Sequence, residues 1–138
     1  MDRAQELRHE LSRFTAVGAI GFLVDAGVFL LLHGRYGWVI AAARTVSASS
    51  SIGTTWALNR RFTFSARRSY DWRAELGRYT LVQVAGLLVN FGVFAMALWL
   101  VAPLRAVPVV ALALGAATAL AFNFLSARTL AFRGRGGH

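Results

Sequence analysis

Two charged residues interrupt the long apolar runs of this sequence. Asp25 lies in Phe14–Leu32, nineteen residues with no other charge, and Arg44 lies in Trp38–Leu58, twenty-one residues with no other charge. Two more runs, Tyr79–Val101 and Ala106–Ser126, carry no charge at all. A charge near the centre of a bilayer costs about 2.5–3.5 kcal/mol on insertion scales, so such residues pair or face a cavity. At roughly 1.5 Å per residue, Asp25 sits roughly 12 Å from the far end of its run, and Arg44 roughly 9 Å into the next from the same side. The connection between the runs is short, so the spacing predicts that Asp25 and Arg44 are close. They form either a structural ion pair or the wall of a polar pocket. Asn90, which stands in place of Asp25, and Asn123 are uncharged polar groups inside the later runs, expected as contacts between helices or as polar lining, while Leu112 stands near the place of Arg44. At the edge of the second run stands Asn59-Arg60-Arg61-Phe62-Thr63-Phe64, followed by Arg67 and Arg68. Such a cluster calls for an anionic partner.

The elements that hold these residues follow from the runs themselves. Roughly 20 helical residues cross a hydrocarbon core of about 30 Å. Helices satisfy their own backbone groups in lipid, which favours them over an open sheet. The chain has 138 residues, of which 57% are hydrophobic and 15% charged, too little polar chain to cover a soluble core of four such runs. The sequence thus predicts an all-α integral membrane four-helix bundle in a single membrane domain, 1–138. The first run is long for a cleaved leader and carries an acid.

Formal net charge is +9, and all fifteen basic residues are arginine. Twelve of them fall in residues 1–13, residues 59–78 and the tail (Arg128, Arg133, Arg135), all on one side of a four-span topology. The excess of positive charge then places both termini and the central loop in the cytoplasm, against anionic lipid rather than nucleic acid. No cysteine is present, and His9, His33 and His138 lie too far apart to suggest a metal. No nucleophile-base pairing, phosphate-binding glycine loop or cofactor motif is visible, so a non-enzyme without cofactors is expected.

The chain repeats. Shifted by sixty-five residues, Leu7–Phe29 lies over Trp72–Phe94 with twelve of twenty-three positions identical, among them Arg8/Arg73, Glu10/Glu75, Arg13/Arg78, Gly21/Gly86 and Gly27/Gly92. A shift of sixty-eight brings Trp56, Arg60 and Phe64 onto Phe124, Arg128 and Phe132. Two tandem helical hairpins result, about 7–64 and 72–132. An even number of spans in each makes them parallel. Leu7, Leu11 and Phe14, and likewise Trp72, Leu76 and Tyr79, recur at i, i+4 and i+7. That spacing predicts short interfacial amphipathic helices ahead of spans one and three.

"SRFTAVGAIGFLVD", "NRRFTF", "GRYTLVQVAGLLVN" and "FNFLSARTLAF" open or close the four spans. Together they resemble the GtrA-like family of small four-helix membrane proteins, over Arg13 to Phe132. In the second half Ala127-Arg128 stands where Asn59-Arg60 stands in the first. The resemblance implies work on cell-surface polysaccharides: moving a polyprenyl-phosphate-linked sugar across the cytoplasmic membrane, or supporting a glycosyltransferase as a non-catalytic subunit. It also gives the arginine cluster a partner. Arginine presents a planar fork of donors that grips phosphate oxygens in two places. Asn59, Arg60, Arg61 and Arg128 are therefore the expected phosphate or headgroup ligands. Four helices leave little room for a sugar path, so translocation implies a homo-oligomer, a dimer in the simplest case.

Overall fold

The computed structural model describes residues 2–133, so Arg135 and His138 lie outside the described residues. Among the described residues the chain is helical throughout its regular structure. It divides into two compact units, the first ending at Tyr70 and the second spanning Asp71–Arg133. Each is a helical hairpin: α1 (Arg3–Phe29) against α2 (Ile40–Leu58), and α3 (Trp72–Leu100) against α4 (Pro108–Ser126).

Helices α1 and α3 each start after an aspartate. The Asp2 amide ahead of α1 donates to Gln5 Oε1 at 3.3 Å. Asp71 Oδ1 accepts from the amides of Arg73 and Ala74, both at 3.1 Å, so α3 begins at once. These caps satisfy donors that the first turn of a helix leaves open. Nothing then breaks either helix. The segments expected as separate interfacial helices are instead the first turns of α1 and α3, because no glycine-proline break or turn chemistry separates them from the apolar runs.

Three helices are long and apolar enough to cross a membrane: Arg3–Arg35, Trp72–Leu100 and Val109–Ala131. Helix α2 has nineteen residues but does not join them by apolarity. Seven of its residues are serine or threonine, and Arg44 is among the rest. Most of its hydroxyls turn onto its own backbone: Thr45, Ser50, Thr54 and Thr55 donate to the carbonyls four residues earlier at 2.8–2.9 Å. Phe22, Leu23, Leu81, Leu88 and Phe91 lie largely exposed on the outer faces of their hairpins. In water such faces would drive association; hydrocarbon accepts them.

Small residues set the approach of the paired helices. A Cβ at Gly21 would collide with the Thr55 methyl, and one at Gly86 with the Asn123 amide. Ser51 donates across the first contact to the Gly21 carbonyl at 2.8 Å. The α1–α2 connection widens into a π-helical turn at Leu30–Arg35 and then reverses at Gly37, whose φ of 69° favours glycine.

Both hairpins end alike. The last turn of α2 opens into a π turn, Asn59–Thr63, where the Phe64 amide donates to the Asn59 carbonyl at 2.7 Å. After α4 the turn Ala127–Ala131 does the same, with the Phe132 amide on the Ala127 carbonyl at 2.8 Å. The wider turn folds the following phenylalanine back under its hairpin. Phe64 packs on Phe14 with ring centroids 6.0 Å apart, and Phe132 meets the Tyr79 ring at 5.8 Å. Both phenylalanines are buried.

Candidate functional site

Asp25 is one turn from the end of α1 and Arg44 one turn into α2, so the hairpin brings them face to face. Arg44 Nη1 donates to Asp25 Oδ2 at 3.0 Å and to Oδ1 at 3.1 Å. The guanidinium also lies over the Phe29 ring, 5.5 Å from its centroid. The Ser47 hydroxyl, close by on α2, donates to the Arg44 carbonyl at 3.2 Å. Arg44 retains 52% side-chain exposure against 23% for Asp25, so the arginine is the outward member of the pair. The two asparagines of the second unit lie between helices. Asn90 fills the space left by Gly115, and Asn123 fills that left by Gly86. Asn123 Oδ1 is buried with no hydrogen-bond partner.

The end of α2 holds the second group. Asn59 is 1% exposed, and its Oδ1 accepts from the Thr63 hydroxyl at 2.8 Å. That bond braces the π turn from within, so Asn59 positions its neighbours and does not itself offer a surface. Arg60 lies over the Trp56 ring at 5.7 Å, and its Nη2 donates to the Ser69 carbonyl at 2.9 Å. With Ser65, Arg68, Ser69 and Tyr70 it lines a cavity of about 430 Å³. Arg61 is exposed, over Phe62 at 5.7 Å, and joins Arg13 at a second groove. Arg13 Nη1 ties the structure together by donating to the Phe62 carbonyl at 3.1 Å.

The loop that closes the cavity is pinned to α1. Arg67 Nε reaches Glu10 Oε1 at 3.3 Å, and its Nη2 stands 3.7 Å from Glu6 Oε1. Glu10 is buried, as is its counterpart Glu75 in the second unit. The sequence assigned no role to Glu6, Glu10, Ser69 or Tyr70, and it grouped Arg67 with the anion-facing arginines and not with the two glutamates. The signal was present in part: Glu10 and Glu75 coincide in the repeat, and a carboxylate kept twice beside apolar runs needs a partner.

Arg128 belongs to the second unit, in the turn after α4. The positions matching Asn59 and Thr63 are Ala127 and Ala131, both fully buried. Arg78 Nη2 donates to the Ala131 carbonyl at 3.2 Å, much as Arg13 serves Phe62. The second unit therefore keeps the π turn and the arginine but lacks the polar brace inside it.

Chemically, the end of α2 offers guanidinium donors, hydroxyls and a phenol around one concave space. Such a set holds an anion with oxygen-rich neighbours, phosphate above all. The comparisons with curated proteins yield no match. The model of the family described as GtrA/DPMS, transmembrane domain, matches residues 13–132. That stretch contains both hairpins, the Asp25–Arg44 pair and the arginine-lined cavity, and the chain is a multi-pass membrane protein belonging to the GtrA/DPMS transmembrane-domain family.

Proposed function

We infer that the chain serves glycan synthesis by binding the phosphate of a polyprenyl-phosphate-linked sugar at the Arg60 end of α2 and carrying the sugar across the cytoplasmic membrane. The observation that carries this reading is the cavity of about 430 Å³ in which Arg60 and Arg68 stand beside Ser65, Ser69 and Tyr70. Its size falls within the range of about 300–1,000 Å³ usual for small-ligand sites. The arginines suit the phosphate, and the hydroxyls suit a sugar. In this reading α2 is a fourth span and both termini are cytoplasmic, which the arginine distribution favours. The two hairpins are tandem parallel repeats. Anionic headgroups surround the basic end. A second copy completes the path for the sugar, and the chain makes and breaks no covalent bond of its own.

One observation favours a second reading, an accessory subunit that recruits or stabilises a glycosyltransferase. The hydroxyls of α2 are spent on its own carbonyls and on the Gly21 contact, which describes a packed face more than a wet one. A single experiment separates the readings. Purified protein is placed in liposomes with a labelled polyprenyl-phosphate monosaccharide, and the appearance of label in the opposite leaflet is timed. Flipping accelerated by the wild type and lost in Arg60→Ala and Asp25→Ala supports translocation. Folded protein that accelerates no sugar tried defeats it and leaves the accessory subunit, to be tested by co-purification with a glycosyltransferase.

A further inference from the structure

Each hairpin carries an apolar groove that ends at two arginines. In the first unit Ala16, Val17 and Ile20 of α1 and Leu58 of α2 form the wall, and Arg13 and Arg61 stand at one end, around about 470 Å³. In the second unit Leu81, Val82 and Ala85 of α3 and Phe122 of α4 form the wall, and Arg78 and Arg133 stand at the end, around about 300 Å³. The grooves occupy matched positions. Arg13, Ala16, Val17 and Ile20 become Arg78, Leu81, Val82 and Ala85 on the shift of sixty-five, and Leu58 and Ser65 become Ser126 and Arg133 on the shift of sixty-eight.

We propose that each groove holds one anionic phospholipid of the surrounding bilayer, so that one chain binds two. Among the described residues no carboxylate lines either groove, and each has two guanidinium groups at one end, so the ligand is anionic there. The long apolar wall requires that the same ligand be apolar over the rest of its length. A phosphodiester headgroup with an acyl chain meets both demands, and the bilayer supplies it at high concentration. Arg13 and Arg78 each spend one arm on a backbone carbonyl, which fixes the guanidinium before any lipid arrives. Duplication argues for a resident lipid over a transported one, since a cargo needs one site. The first groove meets the Arg60 cavity only at Ser65, so this inference stands apart from the function proposed above.

Native mass spectrometry of the full chain tests it, with phosphatidylglycerol and phosphatidylcholine as probes. The wild type is expected to retain two phosphatidylglycerol molecules under conditions that strip phosphatidylcholine. Arg61→Ala and Arg133→Ala should each lose one, and the double variant both, with affinity at each altered groove falling roughly tenfold, the size of one lost charge-assisted contact. These two are chosen because Arg13 and Arg78 also brace the fold. Arg60→Ala should retain both lipids. Equal retention of the two probes, unchanged binding in the double variant, or loss of both lipids in Arg60→Ala would overturn the proposal. So would displacement from both grooves by equimolar polyprenyl phosphate, which would reassign them to the cargo.

Discussion

The first hairpin carries charged groups and a polar brace where the second carries an uncharged amide and otherwise apolar or small residues. Asp25, Arg44 and Ser47 answer to Asn90, Leu112 and Gly115, and Asn59 and Thr63 answer to Ala127 and Ala131. The contacts that build the hairpin are shared: a glycine facing a polar side chain, a π turn, and a phenylalanine folded onto an aromatic ring. Packing has therefore been kept twice, while the charge pair and the polar brace stand once. Polar groups in a hydrocarbon setting are costly and persist where they do something. The second hairpin shows that the fold does not need them.

The largest effect expected from this contrast comes from splitting the ion pair. Arg44→Leu leaves Asp25 without its partner and should destabilise the protein by about 2.5–3.5 kcal/mol, the cost of one charge at bilayer depth. The double variant Asp25→Asn with Arg44→Leu copies the second hairpin and should recover most of that loss. Thermal unfolding in detergent compares them; a double variant as unstable as the single would show that the pair has a structural duty the second hairpin fulfils in another way.

The two glycine contacts should differ next. Gly21→Ala drives a methyl into Thr55, which is stiff at χ1 and bonded to the Ser51 and Ile52 carbonyls, so a loss of about 1–3 kcal/mol is expected. Gly86→Ala meets the end of the Asn123 side chain, which can turn away, and should cost less. Equal losses would mean that Asn123 is held as firmly as Thr55.

The smallest stability change concerns the brace in the π turn. Asn59→Ala should cost about 1–2 kcal/mol, because Thr63 loses its buried acceptor. Adding Thr63→Ala should cost little more, since the pair then matches Ala127 and Ala131. A double-mutant cycle measures that coupling, and additive losses would argue against it.

How much of this could be read from residues alone varies along the chain. The long apolar runs gave the helices away because only a helix closes its own hydrogen bonds over such a length. The Asp25–Arg44 contact was equally legible, since two opposite charges flank one short turn. Helix α2 was harder: its hydroxyls lower its apolarity, and their intrahelical bonds are invisible in a list of residue types. The interfacial segments were misplaced because an amphipathic period continues into an apolar run without any stop signal. The π turns left no trace in residue spacing. Nor did the Arg60 cavity, which depends on a loop pinned by Arg67 to a glutamate fifty-seven residues away.

The most direct measurement is the affinity of purified protein for a polyprenyl-phosphate monosaccharide, taken for the wild type, Arg60→Ala and Arg128→Ala. Both arginines follow the second helix of a hairpin, and both occupy the same place in the repeat. Only Arg60 stands beside the polar brace and has been placed in the proposed phosphate cavity. Arg60→Ala should weaken binding by roughly ten- to a hundredfold, the range of a charge-assisted contact, and Arg128→Ala should weaken it far less. Equal losses from the two, or none from Arg60→Ala, would contradict a phosphate site at the end of α2.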